Sequence, residues 1–151
     1  MKKIVWRTDG RVFKPGDTMS SAGDHTATLA EAHVESERIL REAMADGGDV
    51  RATSLYTWED ETLARRSWRP QKGKYLYRLE IDDVDVRHRG DVNHYTDIGD
   101  ALKTTADTSV FVDNYLCGRD SDRNKYSTAR FEILVRKALV LERFDVREPA
   151  A

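Results

Sequence analysis

Two ionisable residues in this 151-residue chain sit in apolar, strand-like surroundings. Arg7 lies in Val5-Trp6-Arg7-Thr8-Asp9-Gly10-Arg11, and Glu132 lies in Ala129-Arg130-Phe131-Glu132-Ile133-Leu134-Val135. An arginine offers a planar fork of N–H donors that fits phosphate or carboxylate oxygens. A carboxylate among apolar neighbours can meet a group on which positive charge develops during a reaction. Each also has a plain structural reading. Arg7 could cap a sheet edge or pair with a carboxylate, and Glu132 could be the solvent-facing member of an alternating strand. They carry chemistry only as a pair, so the fold must bring the two ends of the chain together.

Other chemistries find little support. The chain has no G-x-G-x-x-G, P-loop, H-E-x-x-H, G-x-S-x-G or C-x-x-C, which argues against doubly wound dehydrogenases, P-loop hydrolases, zincins and α/β-hydrolases. His25, His33, His88 and His94 are not spaced as ligands on one helix face, so no metal is expected, and His33 beside an apolar stripe reads as a partly buried, satisfied histidine. The single cysteine, Cys117, excludes an internal disulfide framework and fits a reducing compartment. Charged residues make up 34% of the chain, yet they cancel to −2, and neither half forms a basic arm or an acidic tail. A general polyanion binder is therefore disfavoured. The longest apolar run, Ala138-Leu139-Val140-Leu141, is far below the roughly 18 residues of a membrane span. Arg7 and Asp9 interrupt any signal-peptide core. The expectation is one domain, cytoplasmic or delivered into a target cell's cytoplasm, with no membrane partner.

The elements that must position Arg7 and Glu132 follow from periodicity. Residues 3–7 read as a strand that ends at Asp9-Gly10, with a second turn at Lys14-Pro15-Gly16-Asp17. Thr28-Leu29-Ala30-Glu31 has capping-box form, and Leu29, Ala32, Ser36, Ile39/Leu40 and Ala43 recur at helical spacing until Gly47-Gly48. Glu37 and Arg41 form an i,i+4 pair on the outer face of that helix. Residues 54–57 read as a strand, and a short helix starting at Thr57 or Glu59 would carry Leu63, Ala64 and Trp68. Residues 74–81 alternate, with Tyr75, Tyr77, Leu79 and Ile81 on one side and Leu76, Arg78 and Glu80 on the other. Residues 82–93 look like a polar loop, and 98–103 and 110–116 are ambiguous short segments. A hydrophilic loop at 117–125 precedes apolar runs at 129–135 and 139–146. Helices gathered in the first half and strands spread over both indicate an α+β domain covering residues 1–151.

The opening Trp6-Arg7-Thr8-Asp9-Gly10-Arg11 resembles the aromatic-Arg-x-Asp-x-Arg start of the ADP-ribosyltransferases related to cholera and pertussis toxins. Ser54-Leu55-Tyr56-Thr57 with its helix, and then Tyr75-Leu76-Tyr77-Arg78-Leu79, resemble that family's second strand, helix and following strand. Phe131-Glu132-Ile133-Leu134-Val135, behind the 117–125 loop, is similar to the strand that delivers the family's catalytic glutamate. Residues 29–77 also resemble a group of bacterial domains of the same superfamily.

The resemblance implies a split β-sheet core with helices packed mainly from the N-terminal half, and NAD as substrate. The activity it implies is transfer of ADP-ribose to a protein or nucleic acid, by a toxin, an effector or a phage-defence component with an antitoxin or immunity protein as partner. The alternatives are NAD hydrolysis and a catalytically degenerate binding domain. Glu132 and Arg7 would be catalytic. Arg7, Asp9, Ser54, Tyr56, Thr57 and Tyr75 would bind NAD, with Tyr56, Tyr75 or Tyr77 stacking on the nicotinamide and Thr57 or Ser54 orienting Glu132. Arg119, Arg123, Tyr126 and Arg130 would meet the acceptor. Two positions depart from the family. Its Ser-Thr-Ser triplet is replaced by Thr53-Ser54-Leu55-Tyr56-Thr57, and Arg130 stands where many members have Glu or Gln. A basic residue there suits a phosphate or carboxylate, and with Arg119, Arg123 and Lys125 it suits nucleic-acid phosphates. Asp120 and Asp122 are close enough in sequence to neutralise the loop instead.

Overall fold

A computed structural model describes residues 1–23 and 31–145. The capping box at Thr28–Glu31, His25 and the end of the last predicted strand at Val146 rest on residues outside these. The fold is mixed α and β. A seven-stranded antiparallel sheet is built from β1 (Lys2–Asp9), β2 (Thr18–Met19), β3 (Leu55–Trp58), β4 (Tyr75–Asp82), β5 (Val86–Asp91), β6 (Phe131–Val135) and β7 (Ala138–Phe144), in the order β2-β7-β4-β1-β3-β6-β5. Among the described residues five α-helices accompany it: α1 (Glu31–Ala43), α2 (Gly47–Thr53), α3 (Glu61–Ser67), α4 (Val92–Lys103) and α5 (Ser109–Leu116).

The alternation in β4 decides which side chains face which layer. Tyr77, Leu79 and Ile81 join Val5, Leu55, Ile133, Val135 and Val140 in one core, while Leu76 joins Trp6, Ala64 and Trp68 in a second core beneath α3. Asp60 starts α3 by accepting from the Thr62 amide at 2.6 Å, as an N-cap aspartate does. A third cluster, with Leu40, Ile98, Val112 and Tyr115 at its centre, knits α1, α4 and α5 into a helical lobe.

Helices are thus not confined to the N-terminal half, which corrects the distribution expected from sequence. The segment 82–93 is likewise no loop. It holds β5, an edge strand paired only to β6, with a register shift between Val86 and His88. Gly47 does not simply end α1, because it opens α2. A Cβ at this position would stand 2.2 Å from the Arg41 carbonyl oxygen, so only glycine allows the two helices to meet at this corner.

The sheet is continuous in order but uneven in pairing. β1 pairs with β4 along its whole length, Lys2 to Asp9, and β3 pairs with β6 from Leu55 to Trp58. Between β1 and β3 a single bridge joins Trp6 and Trp58. Past it an ordinary antiparallel ladder would place Arg7 opposite Thr57. Instead the strands part, and a cleft opens between them.

Candidate active site

The parting of β1 and β3 leaves the Tyr56 carbonyl without a ladder donor, and Arg7 supplies one. Its Nη1 donates to Tyr56 O at 2.8 Å, and its Nε donates to Asp9 Oδ2 at 3.0 Å. Asp9 is held in turn by Arg11, whose backbone N–H and Nε reach Oδ1 at 2.9 and 3.2 Å and whose Nη2 reaches Oδ2 at 2.9 Å. Burial alone would raise the Asp9 carboxyl. The hydrogen bonds from Arg11 and the charge of Arg7 outweigh it and bring the pKa from 3.8 to about 2. A carboxyl depressed on folding stabilises above its unfolded pKa and loses that contribution as pH falls through the folded value. Ionised Asp9 is expected to contribute roughly 2 kcal/mol above about pH 4, vanishing near pH 2. The gap in urea midpoint between the wild type and Asp9→Asn should therefore narrow over that range. A gap that stays constant would show that the charge of Asp9 is immaterial.

The cleft has a volume of about 440 Å³. Arg7, Thr8, Tyr56, Thr57 and Trp58 line one side; Glu132 and Arg130 line the β6 side; His33, Glu37 and Arg51, with Val92, Tyr95 and Thr96 of α4, close it from the helical lobe. Arg7 and Glu132, 125 positions apart in the chain, thus share one cavity. The register explains this, since Glu132 is directly opposite Trp58, and Trp58 is opposite Trp6.

Behind the cleft lies a buried polar chain. Arg51, 2% exposed, donates from Nε and Nη2 to the two carboxylate oxygens of Glu37, both at 2.6 Å. Its Nη1 donates to the Tyr115 hydroxyl at 2.7 Å, and that hydroxyl donates to Glu132 Oε2, also at 2.7 Å. The Arg51 guanidinium also sits over the rings of Tyr56, Tyr95 and Tyr115, with centroids 5.4–5.7 Å away. The Glu132 side chain is 12% exposed. Burial raises its carboxyl above the usual value, and Arg51 and the Tyr115 hydrogen bond only partly offset this. Burial and the neighbouring Glu132 hold Tyr115 far above its ordinary pKa, so it stays a protonated donor.

The other residues singled out from sequence divide clearly. Tyr56 is a wall of the cleft, with its hydroxyl donating to Arg51 O at 2.6 Å. Thr57 lines the cleft too, but its Oγ1 donates to Ile133 O at 2.8 Å and so ties β3 to β6 without reaching Glu132. Ser54 caps the end of α2, does not line the cleft, and its buried hydroxyl has no partner among the described residues. Tyr75 and Tyr77 lie on β4, across β1 from the cleft. Tyr77 is in the core, where its hydroxyl accepts from the Phe13 amide and donates to Arg11 O; Tyr75 packs under Arg143. Neither is placed to stack on a ligand beside Glu132.

The 117–130 segment is mostly tied to the helical lobe and to itself. Fully buried Asp91 caps α4 through the Asn93 amide and accepts from the amides of Ser121 and Arg130. Burial would raise its carboxyl, and these amides bring it below the ordinary value instead. Arg119 donates to Asn114 Oδ1, Arg123 pairs with Asp120, and Lys125 and Tyr126 converge on Asp97. None of Arg119, Arg123 and Tyr126 lines the cleft. Arg130 does. It is fixed by two neutral acceptors, Asn93 Oδ1 and Thr96 Oγ1, and makes no ion pair among the described residues.

Two expectations on α1 are overturned. Glu37 is buried and faces Arg51, 14 residues away on the next helix, and not the solvent beside Arg41. His33 is exposed at the mouth of the cleft, its ring 5.9 Å from that of Tyr95. Arg51, Tyr95 and Tyr115 escaped the sequence reading altogether. Among the described residues no cluster of His, Cys, Asp or Glu could hold a metal, and no helix is long and apolar enough to cross a membrane. Protein-family models, curated proteins and solved structures give no match to the chain.

Proposed function

We propose that the chain is an ADP-ribosyltransferase-like enzyme with a split-sheet fold, which cleaves NAD and transfers ADP-ribose to a macromolecule. One observation carries the reading: Arg7 and Glu132 flank a single cleft where β1 and β3 part. The order β1-β3-β6 supports it, because it sets side by side the three strands that the family resemblance makes functional.

The chemistry suits these groups. Cleavage of the bond between nicotinamide and ribose develops oxocarbenium character on the sugar, as glycoside hydrolysis does. Glu132 Oε2 is occupied by Tyr115, and Oε1 is the oxygen to accept a hydrogen bond from a ribose hydroxyl. That bond strengthens as the sugar becomes cationic and lowers the barrier. Arg7 has Nε engaged with Asp9 on its own strand and Nη1 with the Tyr56 carbonyl across the gap, and Nη2 remains for a diphosphate oxygen. Tyr56, Trp58 and Tyr95 give the cleft aromatic walls for the nicotinamide and adenine rings. Arg130, a cation on the rim held by Asn93 and Thr96 and in no ion pair among the described residues, favours an acceptor that carries phosphate or carboxylate over an arginine side chain. We further propose a toxin, effector or phage-defence role, with an antitoxin or immunity protein covering the cleft.

The deciding experiment incubates the protein with NAD labelled on the adenylate half, in the presence of protein, RNA and DNA from cell extract. Nicotinamide release with label on a macromolecule is the expected result. Release with free ADP-ribose alone would select NAD hydrolysis. Binding of NAD without release would indicate a degenerate binding domain, and the absence of both binding and release would overturn the proposal.

A further inference from the structure

We infer that Tyr115 is a positioning residue, through which the buried Glu37–Arg51 pair aims the Glu132 carboxylate into the cleft; this rests on the proposed function of Glu132. Four elements supply the chain of contacts: Glu37 from α1, Arg51 from α2, Tyr115 from α5 and Glu132 from β6. Every link is a short hydrogen bond between buried or nearly buried groups, 2.6 Å for each of the two Glu37–Arg51 contacts and 2.7 Å for each of the next two. The direct distance from Arg51 Nη1 to Glu132 Oε2 is 3.9 Å, so the tyrosine hydroxyl completes the connection.

The hydroxyl's orientation is not free. Arg51 has only N–H groups and cannot accept, so the proton of Tyr115 must point to Glu132. The ring is equally confined. It is fully buried, and its edge packs so close to Gly90 that a Cβ there would come within 2.7 Å. The His88 ring stacks beside it at 4.8 Å. A fixed ring with a one-way donor leaves Glu132 Oε2 a single partner direction, and this turns Oε1 toward the cleft. No hydroxyl on β3 or just before it does this work, since Thr57 is bonded to Ile133 O, Tyr56 to Arg51 O, and Ser54 lies outside the cleft. The charged and titratable groups around the contact are Glu37, Arg51, Tyr56, Tyr95, His88 and Arg130. Deleting the Tyr115 oxygen takes the donor from Glu132 Oε2 and the acceptor from Arg51 Nη1, and leaves the Arg51 contacts with Glu37 in place.

The test compares the wild type with Tyr115→Phe and with 3,5-difluorotyrosine placed at 115. Phenylalanine keeps the ring and removes the donor, while the fluorinated phenol keeps the shape and donates more strongly. The first readout is the titration of the Glu132 side-chain carbon by NMR, assigned by its loss in Glu132→Gln, and it needs no turnover. The second is kcat and KM for NAD cleavage against pH. Tyr115→Phe should move the Glu132 midpoint up, and difluorotyrosine should move it down. For Tyr115→Phe, kcat should fall about 10-fold to 100-fold with little change in KM, and the acid limb of the kcat profile should follow the NMR midpoint. A Glu132 midpoint unmoved by both replacements overturns the inference. If the midpoints move as stated while the wild type fails to cleave NAD, the positioning role stands and the proposed reaction falls.

Discussion

Arg51→Met is expected to destabilise the fold by about 3–5 kcal/mol, the usual effect of removing one partner from a buried ion pair. Arg51 and the Glu37 side chain are 2% and 4% exposed, so water cannot take over the lost contacts. Two carboxylates, Glu37 and Glu132, would then lose the cation they share. The sign of the pH dependence follows. Burial already raises the Glu132 carboxyl, and without Arg51 less opposes it, so the contribution of Glu132 is most favourable when protonated and declines as pH rises. The variant's deficit should therefore be large at pH 7 and shrink toward pH 4. Replacing the pair together, Arg51→Met with Glu37→Leu, removes the unpaired charge along with its partner and should restore most of the loss, because buried pairs replaced by apolar residues are often neutral in stability. Urea unfolding at pH 7 and pH 4 measures both effects as shifts of the midpoint at constant slope. A single variant as stable as the wild type would mean that Glu37 reaches water, contrary to its burial.

That ion pair also shows where the sequence stopped being informative. Glu37 has an arginine four residues on, in the favourable order for a helix surface, and this local explanation was complete in itself. Nothing at 3.6-residue spacing points to a partner on a second helix beyond Gly47. The strands that frame the cleft were legible because each buries one face: Val5, Leu55, Leu79 and Ile133 sit in one core while their neighbours turn away from it. β5 was not legible, because an edge strand exposes its outward side chains. Its Arg87 and Arg89 reach Asp49 and Glu59, so the segment reads as polar. α4 was hidden for the opposite reason. Its buried face carries Asn93, His94 and Asp97, which bind the 119–130 segment through Ser121, Thr128, Arg119 O, Lys125 and Tyr126. Polar residues pointing inward erase the apolar period that marks a helix. The pair Arg7 and Glu132 was found because charge stood out inside apolar runs. Arg51 and Tyr115, which set the surroundings of Glu132, lie in segments with no such contrast.

Glu132→Gln is expected to lower kcat for NAD cleavage by about 10²–10³-fold, the usual effect of removing one group aimed at developing charge. The substitution keeps the volume and leaves an oxygen to accept from Tyr115, so the fold and the Glu37–Arg51 pair should persist. It removes the negative charge that the sugar's cationic character requires, and it offers an amide N–H where a ribose hydroxyl would otherwise donate. In the proposed reaction ground-state binding is assigned chiefly to Arg7 and the aromatic walls, so the Kd for NAD measured by calorimetry should change little while turnover collapses. The pH dependence should change as well. In the wild type kcat should rise with pH as Glu132 ionises, with its midpoint above the ordinary 4.5 because burial raises it. In Glu132→Gln that limb should be gone and the residual rate flat in this region. Glu132→Asp keeps the charge but withdraws it by one methylene from Tyr115 and the cleft, and should fall between the two. A Glu132→Gln variant that cleaves NAD at the wild-type rate would remove Glu132 from the chemistry and return it to the role of a structural carboxylate at the end of a buried chain.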